Sequence, residues 1–165
     1  MTGELHHIVA NNIRSRRTSM LVDKSREVPR ELINELCELA TWAPNHKRTW
    51  PWRFAVITGP AQLRFGNAVA EAMAAFGDEP AKVDKARTKY ARTPAVVVIG
   101  SAVGDSELRT IENRDATAAA VQNFMLAATS RGLATYWGSC PKGANEPVAE
   151  FCGFEPDTAI VCIMY

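Results

Sequence analysis

The stretch Ala43-Pro44-Asn45-His46-Lys47-Arg48-Thr49-Trp50-Pro51-Trp52-Arg53-Phe54 joins a predicted helix to a predicted strand. Before it, apolar residues recur at helical spacing, at Leu32, Ile33, Leu36, Leu39 and Ala40. After it, residues 52–57 are mostly aromatic or β-branched, which predicts a strand. The loop between them combines basic side chains with two tryptophans, and loops of this kind on a rigid scaffold commonly carry function. The structural alternatives are an ordinary loop histidine at 46 and tryptophans that cap the core.

The remaining pattern predicts alternating helices and strands along one chain. Helices are expected over residues 5–14, about 65–76, 80–91, 115–130 and 146–152, and strands over 95–99, 134–137 and 159–165. Strand 95–99 is apolar on both faces and is therefore expected to be fully buried. The order of these elements alone suggests a parallel sheet. No repeat or linker interrupts the chain, so residues 1–165 are predicted to form a single domain.

The helix predicted over 115–130 is rich in alanine and apolar nearly all round. Such a helix must be buried on most sides, in a core or in a subunit interface. For a chain of 165 residues the interface is the more economical expectation. Just before this helix, Glu112 and Asp115 are predicted to complement the helix dipole rather than to act in catalysis.

Composition excludes several classes of protein. Lys+Arg 19 against Asp+Glu 18 leaves a net charge of +1, which disfavours a nucleic-acid-binding module. The apolar runs are too short to span a bilayer, and the N-terminus lacks the order of a signal peptide. A cytoplasmic protein without a membrane partner is expected. The four cysteines have no C-x-x-C spacing, so zinc and a disulfide framework are disfavoured.

Two further clusters could carry chemistry. Arg14-Ser15-Arg16-Arg17-Thr18-Ser19 follows the first helix, and guanidinium and hydroxyl groups together suit a phosphate dianion. Its alternative is a solvated basic helix end. In residues 131–140 a helix ends at Gly132, a strand follows, and Gly138 permits close approach of a ligand to the backbone. A simple turn is the alternative there.

Taken in order, these clusters resemble the FMN-dependent nitroreductase family. The residues that carry the resemblance are Arg16-Arg17-Thr18, Ala43-Pro44-Asn45-His46, Pro51-Trp52-Arg53-Phe54, Gln122-Asn123 and Trp137-Gly138-Ser139. The resemblance covers residues 5–165 and is strongest to the subgroup of short, stand-alone members of this family. It implies an α+β fold with a mostly antiparallel central sheet flanked by helices. It further implies a homodimer that has one FMN in each interface site, with helix 115–130 in the dimer core.

The resemblance also assigns site residues. Arg16, Arg17 and Thr18 match the Arg-Arg-Ser that holds the FMN phosphate and ribityl chain. His46, with Trp42 beside it, matches residues that reach the flavin from the other subunit, and Trp137, Gly138 and Ser139 match the strand end against the isoalloxazine. Trp50 stands where many relatives have glutamine before Pro-Trp. Relatives usually continue past residue 165, so a C-terminal tail is expected to be missing.

The function implied is an oxidoreductase that takes hydride from NAD(P)H and reduces nitroaromatic, quinone or related small-molecule acceptors by a ping-pong cycle. In such an enzyme the cofactor supplies the reactivity and the protein supplies position and electrostatics, so no catalytic side chain is assigned. Two alternatives remain open. One is another flavin-dependent reaction on the same scaffold, and the other is a non-catalytic FMN-binding storage or redox-sensing protein.

Overall fold

The computed structural model describes residues 2–165, with only the backbone described at Thr2. The helices are α1 (Thr2–Ser15), α2 (Arg30–Ala40), α3 (Pro60–Phe76), α4 (Pro80–Lys89), α5 (Glu107–Ser130) and α6 (Asn145–Phe151). The strands are β1 (Trp52–Thr58), β2 (Ala95–Ser101), β3 (Trp137–Gly138) and β4 (Ala159–Met164). Short 3-10 turns lie at His46–Arg48 and Tyr90–Arg92.

The four strands form one antiparallel sheet in the order β1-β2-β4-β3. In the first pair Trp52 lies opposite Ser101 and Thr58 opposite Ala95. The α+β fold implied by the family resemblance is confirmed, and the parallel sheet suggested by the order of elements is wrong. The reason is that α3 and α4 form a helical hairpin between β1 and β2. After this hairpin the chain re-enters the sheet at the end where β1 finished, with Ala95 beside Thr58, so β2 runs antiparallel to β1.

The sheet separates two hydrophobic cores. Along β2, Val96 and Val98 face the core under α3, α4 and α6, whereas Val97 and Ile99 face the core under α2 and α5. This alternation is the period-two pattern of a strand that is covered on both sides. Complete burial of β2 from Val96 to Ser101 confirms that part of the sequence prediction.

Helix α5 differs from the prediction in extent and in what it buries. It begins at Glu107, where the Ser106 hydroxyl accepts a hydrogen bond from the Arg109 backbone N–H at 3.2 Å, rather than at 115. Ala120, Val121 and Phe124 are buried inside the chain's own core. Its most apolar face therefore packs on the sheet and on α2 within one chain, and the placement of the rest of the helix in a dimer core stays a prediction.

An apolar stripe that the chain itself does not cover lies instead on α1. Leu5, Ile8, Val9 and Ile13 are exposed and follow a helical spacing of three, one and four residues. Ile8 keeps 60% of its surface accessible. On α5, Leu108 and Ile111 are also exposed. No helix within residues 2–165 combines the length and the apolar character that a membrane span needs.

The third strand is shorter than predicted. Only Trp137 and Gly138 pair regularly with β4, opposite Met164 and Ile163. Thr135 forms an isolated parallel bridge with Thr18. This bridge joins the segment after α1 to the edge of the sheet, which positions one half of the candidate site.

Candidate functional site

The structure brings the first and third sequence clusters together. Through the Thr18–Thr135 bridge, and through the Ser19 backbone N–H that donates to the Thr135 carbonyl at 3.3 Å, residues 16–18 lie beside the strand that leads to β3. Asn12 fixes the end of α1, because its side-chain amide donates to the Leu126 carbonyl at 3.0 Å. Two segments more than a hundred residues apart in the chain thus form one surface.

The guanidinium groups of this surface lack carboxylate partners. Within residues 2–165, Arg14, Arg16 and Arg17 form no ion pair, whereas arginines 53, 87, 109 and 131 each do. Arg17 donates to the Arg14 and Arg16 carbonyls, and Arg16 is half-buried. Because charge on a partly buried arginine needs compensation, the cluster is suited to an anion.

Gly138 is required by the packing of the strand end. A Cβ atom there would lie 2.9 Å from the Ile163 carbonyl oxygen and 2.9 Å from Tyr165 Cε1, closer than side chains tolerate. Trp137 is partly exposed and its indole N–H donates to the Val161 carbonyl at 3.1 Å, while Ser139 is exposed just beyond. The three predicted residues therefore form a tight, fixed edge with Tyr165 beneath it.

A cavity of about 330 Å³ opens beside this edge, and we call it the basic cavity. Its size lies within the range that binds small ligands. It is lined by Ser19, Met20, Val22, Met73, Lys82, Lys85, Ala86, Lys89, Tyr90, Arg92, Thr93, Tyr136, Pro141 and Tyr165. Its walls thus combine four cationic side chains with three tyrosine rings, a lining suited to a flat anionic ligand.

Lys89 is the most enclosed of these cations. Its Nζ lies 5.1 Å from the ring centre of Tyr165 and 5.3 Å from that of Tyr90. Burial, and next the charge of Lys85, hold the pKa of Lys89 below its ordinary value. Tyr136 and Tyr165 stack beside it with ring centres 4.8 Å apart. A desolvated ammonium beside stacked rings would attract a negatively charged, planar group.

The second predicted cluster, which contains His46, is a strained loop. Lys47, Arg48 and Trp50 all have positive φ, at 63°, 52° and 49°. Such left-handed backbone costs about 1–2 kcal/mol for each non-glycine residue, so the surrounding structure must impose it. Trp50 remains 59% exposed at the tip. The loop therefore holds an aromatic side chain in solvent at an energetic cost, which is typical of a functional segment.

A chain of side-chain amides imposes this conformation. Asn45 Oδ1 accepts from the Trp50 backbone N–H at 2.9 Å, and Asn45 Nδ2 donates to the Thr49 hydroxyl at 2.9 Å. Thr49 donates in turn to Asn113 of α5 at 2.6 Å. Asn113 is buried and donates to the Ala102 carbonyl at 3.1 Å. The loop is thus anchored to the first turns of α5.

His46 has a second anchor on the same helix. Its Nδ1 lies 2.9 Å from Glu112 Oε1, and Arg109 pairs with the other carboxylate oxygen. The hydrogen bond from His46, and next the charge of Arg109, keep the pKa of Glu112 below its ordinary 4.5. Because α5 begins at Glu107, Glu112 lies inside the helix and orients His46, which corrects the expectation that it only complements the dipole.

Trp42 follows α2, four residues before His46. It is strongly exposed, and its indole N–H donates to Glu38 Oε1 at 2.6 Å. His46 itself is separated from the Arg16–Thr18 segment within one chain. Glu112 and Leu126, which mark the two ends, are 14 residues apart on α5, or about 21 Å along its axis.

Several residues of the site escaped the sequence analysis. Lys89 and Tyr165 lie in segments predicted only as a charged helix and as a strand, and Tyr136 lies in the 131–140 cluster without an assigned role. Glu112 was seen, but its contact with His46 spans 66 residues. Only the charge of Lys82, Lys85, Lys89 and Arg92, crowded into eleven positions, could have signalled the basic cavity.

The cysteines stay outside the site chemistry. Burial raises the pKa of Cys37 and Cys140 to about 11 and that of Cys152 and Cys162 to about 12, so all four remain neutral thiols at pH 7. Their sulfurs are unbridged. In the part of the chain that the structure describes, no three side chains gather in a geometry that could hold a metal ion.

With this geometry in view, comparison with known proteins gives a consistent result. The sequence profile of the nitroreductase family matches residues 13–165. The chain belongs to the nitroreductase family. YfhC of Bacillus subtilis is 29% identical over 137 residues, which cover 81% of this nitroreductase-family chain and 70% of YfhC. The family membership predicted from the ordered motifs is therefore confirmed.

Solved structures share the fold. A nitroreductase-like family protein from Bacillus cereus superposes with a TM-score of 0.82 at 29% identity, over 95% of this chain and 83% of that one. The FMN-dependent nitroreductase NfnB from Mycobacterium smegmatis, solved in complex with NADPH, superposes with a TM-score of 0.75 at 21% identity. The match covers 97% of this chain and 86% of NfnB. At 21% identity this second likeness shows the nitroreductase fold alone.

We expect the anchor of the His46 loop to fail in acid. Because the pKa of Glu112 is lowered in the folded protein, the contact is fully present above pH 4.5 and is lost as pH falls through that lowered value. Replacing Glu112 by Gln should therefore destabilise the protein at pH 7 and have a much smaller effect near pH 3. Urea unfolding of both proteins at each pH measures this. An equal difference at pH 7 and pH 3 would contradict the role of the Glu112 charge.

Proposed function

We propose that this protein is an FMN-dependent oxidoreductase that takes hydride from NAD(P)H and reduces nitroaromatic, quinone or related acceptors. The observation that supports the proposal most is the basic cavity beside the unpaired guanidinium groups of Arg16 and Arg17. The cavity offers aromatic walls and cations to a flat ring, and the adjacent arginines offer donors to a phosphate. NfnB, which shares the fold, is an FMN-dependent nitroreductase that was solved with NADPH.

The chemistry of these residues suits FMN. Arg16, Arg17 and Thr18 would hold the phosphate and ribityl chain, since they combine forked donors with a hydroxyl. Trp137, Gly138 and Ser139 would border the ring at the strand end. When bound, FMN supplies two-electron chemistry that accepts and returns hydride. Lys89 would supply a positive charge inside the basic cavity, which would favour a bound group that carries negative charge.

The arrangement of the site favours substrates that bind in turn. One cavity of about 330 Å³ leaves little room for both NAD(P)H and an acceptor beside a flavin ring. We therefore propose a ping-pong cycle in which the oxidised nicotinamide leaves before the acceptor enters. The protein's part is to position both substrates and to exclude water, and no side chain is required to act as acid or base.

We further propose that the working form is a homodimer. His46, held by Glu112, lies about 21 Å along α5 from the level at which Leu126 holds the end of α1, so it does not join the Arg16 cluster within one chain. The exposed stripe of α1 offers an apolar surface for a second copy, and contiguous exposed apolar residues commonly mark interfaces. In a twofold dimer, His46 of the partner subunit would complete the site.

A non-catalytic FMN-binding protein is the second candidate, and the exposure of Trp50 favours it. A tryptophan held rigidly at a loop tip could cover the ring and keep acceptors away. Turnover distinguishes the two functions. An enzyme consumes NAD(P)H continuously when an acceptor is present, whereas a storage protein does not.

We expect the freshly purified protein to show the two visible bands of oxidised flavin. Anaerobic NADPH should bleach them, and 1,4-benzoquinone should restore them, with steady consumption of NADPH when both are present. Absorption at 450 nm and NADPH oxidation at 340 nm measure the two events. Bands that bleach without turnover would support the storage function, and a protein that stays colourless with added FMN would overturn both.

Replacing Arg16 by Ala should weaken FMN retention by about 10- to 100-fold, since a hydrogen bond to a charged group contributes about 1.5–3 kcal/mol. The matched control is Arg64→Ala, which removes one guanidinium from the surface of α3, outside the basic cavity. The dissociation constant of FMN, measured by flavin fluorescence quenching, should be unchanged in the control. Equal retention by both variants would remove Arg16 from the site.

Replacing Ile8 by Glu should give monomers that release FMN, because a charge would be buried in the proposed interface. Leu63→Glu is the control, since Leu63 is a similarly exposed apolar residue on α3. Sedimentation velocity gives the oligomeric state, and absorption at 450 nm gives the flavin content of each species. A flavin-loaded Ile8→Glu dimer would show that the α1 stripe is not the interface.

A further inference from the structure

A second, larger cavity lies on the other face of the sheet. It measures about 630 Å³ and is enclosed by the segment 21–29, α2, the start of β2 and the C-terminal end of α5. Its floor is apolar and includes Leu32, Leu36, Val97, Phe124 and Met164. We call it the apolar cavity. A space of this size with such walls is suited to an aliphatic or isoprenoid chain.

One polar group in its wall has no partner. The Thr135 hydroxyl is buried and makes no hydrogen bond in the structure, and the residue as a whole is only 6% exposed. A buried hydroxyl left without a partner costs about 1–3 kcal/mol, so such groups usually serve a purpose. Within residues 2–165 it is the single buried side-chain polar atom in this condition. An oxygen on a ligand would satisfy it.

The two cavities meet at the end of the sheet. Val22, Thr93 and Tyr165 line both of them. Thr135 and Tyr136 are neighbours on an extended segment, so their side chains point to opposite faces, Thr135 to the apolar cavity and Tyr136 to the basic cavity. A molecule with its ring in the basic cavity could therefore extend a flexible chain past Tyr165 into the apolar cavity.

The charges at the mouth of the apolar cavity balance one another. Arg131 pairs with Glu35, and the Asp23 carboxylate accepts hydrogen bonds from Ser25. Arg26 and Glu27 add one charge of each sign. This mouth gives no advantage to a charged chain, which distinguishes it from the basic cavity. The favoured occupant is therefore neutral and apolar.

We propose that the apolar cavity binds the hydrocarbon chain of a chain-bearing quinone-type acceptor, with the Thr135 hydroxyl donating to an oxygen where ring and chain join. This assignment of the occupant as acceptor rests on the proposed function. The cavity itself is defined by the described residues alone. Binding of the chain in this cavity would narrow the class of acceptors, because acceptor rings with long neutral substituents would bind better than small polar nitroaromatics.

Binding can be measured without turnover by calorimetric titration of the holoprotein with phenol, 4-butylphenol and 4-octylphenol in the absence of NAD(P)H. Burial of one methylene strengthens binding about fourfold, so burial of only two of the four additional methylenes should already make 4-octylphenol bind more than about tenfold more tightly than 4-butylphenol. Leu32→Trp places a bulkier side chain in the apolar cavity and should reduce this gain, while Leu63→Trp on α3 should keep it. Affinities that do not rise with chain length would overturn the proposal.

Thr135→Val tests the hydroxyl. It should weaken the binding of 2-octylphenol, which carries its oxygen beside the chain, about tenfold while leaving the thermal unfolding midpoint of the ligand-free protein unchanged or raised, since it removes a buried group that had no partner. A merely structural threonine would instead lower the midpoint. Unchanged 2-octylphenol affinity in this variant would remove the hydroxyl from the site.

Turnover of 1,4-benzoquinones with side chains of increasing length separates this proposal from the proposed function. A KM that falls as the chain grows, in the wild type but not in Leu32→Trp, supports the assignment. If every quinone is turned over with the same KM, the apolar cavity does not bind the chain, and the proposed oxidoreductase function is unaffected. Chain-dependent binding of the alkylphenols without turnover of any quinone overturns the acceptor assignment and the proposed function together, while the cavity remains a binding site.

Discussion

Helix α5 fixes the geometry on which the proposed site depends. Its 24 residues extend about 36 Å, and each end holds a different half of the site. Near its start, Glu112 and Asn113 hold the His46 loop, and near its end the Leu126 carbonyl holds Asn12 at the end of α1. A rigid helix of this length keeps the two halves apart within one chain, so only a second chain could bring them together.

The chain is almost neutral overall, yet its cations are unevenly placed. Lys85, Lys89 and Arg92 surround one small cavity, and Arg16 and Arg17 stand beside it without carboxylate partners in the described chain. Desolvation of Lys89 strengthens its interaction with an anion, because screening by water is reduced. This distribution of charge suits the proposed binding of an anionic ring and a phosphate, although the net charge of the chain gives no sign of it.

The strained loop and the unpartnered Thr135 hydroxyl both lower the stability of the folded protein. Three left-handed residues hold Trp50 in solvent, and a network of Asn45, Thr49 and Asn113 maintains them. Both features lie where ligands are proposed to bind, one on the loop assigned to the proposed dimer interface and the other in the wall of the apolar cavity. Local departures from the most stable arrangement are expected at functional sites.

The sequence by itself determined most elements, the burial of β2 and the family, because periodicity and ordered motifs are local signals. It placed Arg16–Thr18 and His46 among the candidates, and those assignments remain proposals. The antiparallel sheet followed from the family resemblance, not from the order of the elements. Tertiary structure alone decided the earlier start of α5 at Glu107 and the inward orientation of Ala120. It also decided the contact of Glu112 with His46 and the gathering of Lys89, Tyr136 and Tyr165. The physical reason is that these features depend on contacts between residues distant in the chain, whose proximity is set by how helices and strands pack and not by any local pattern.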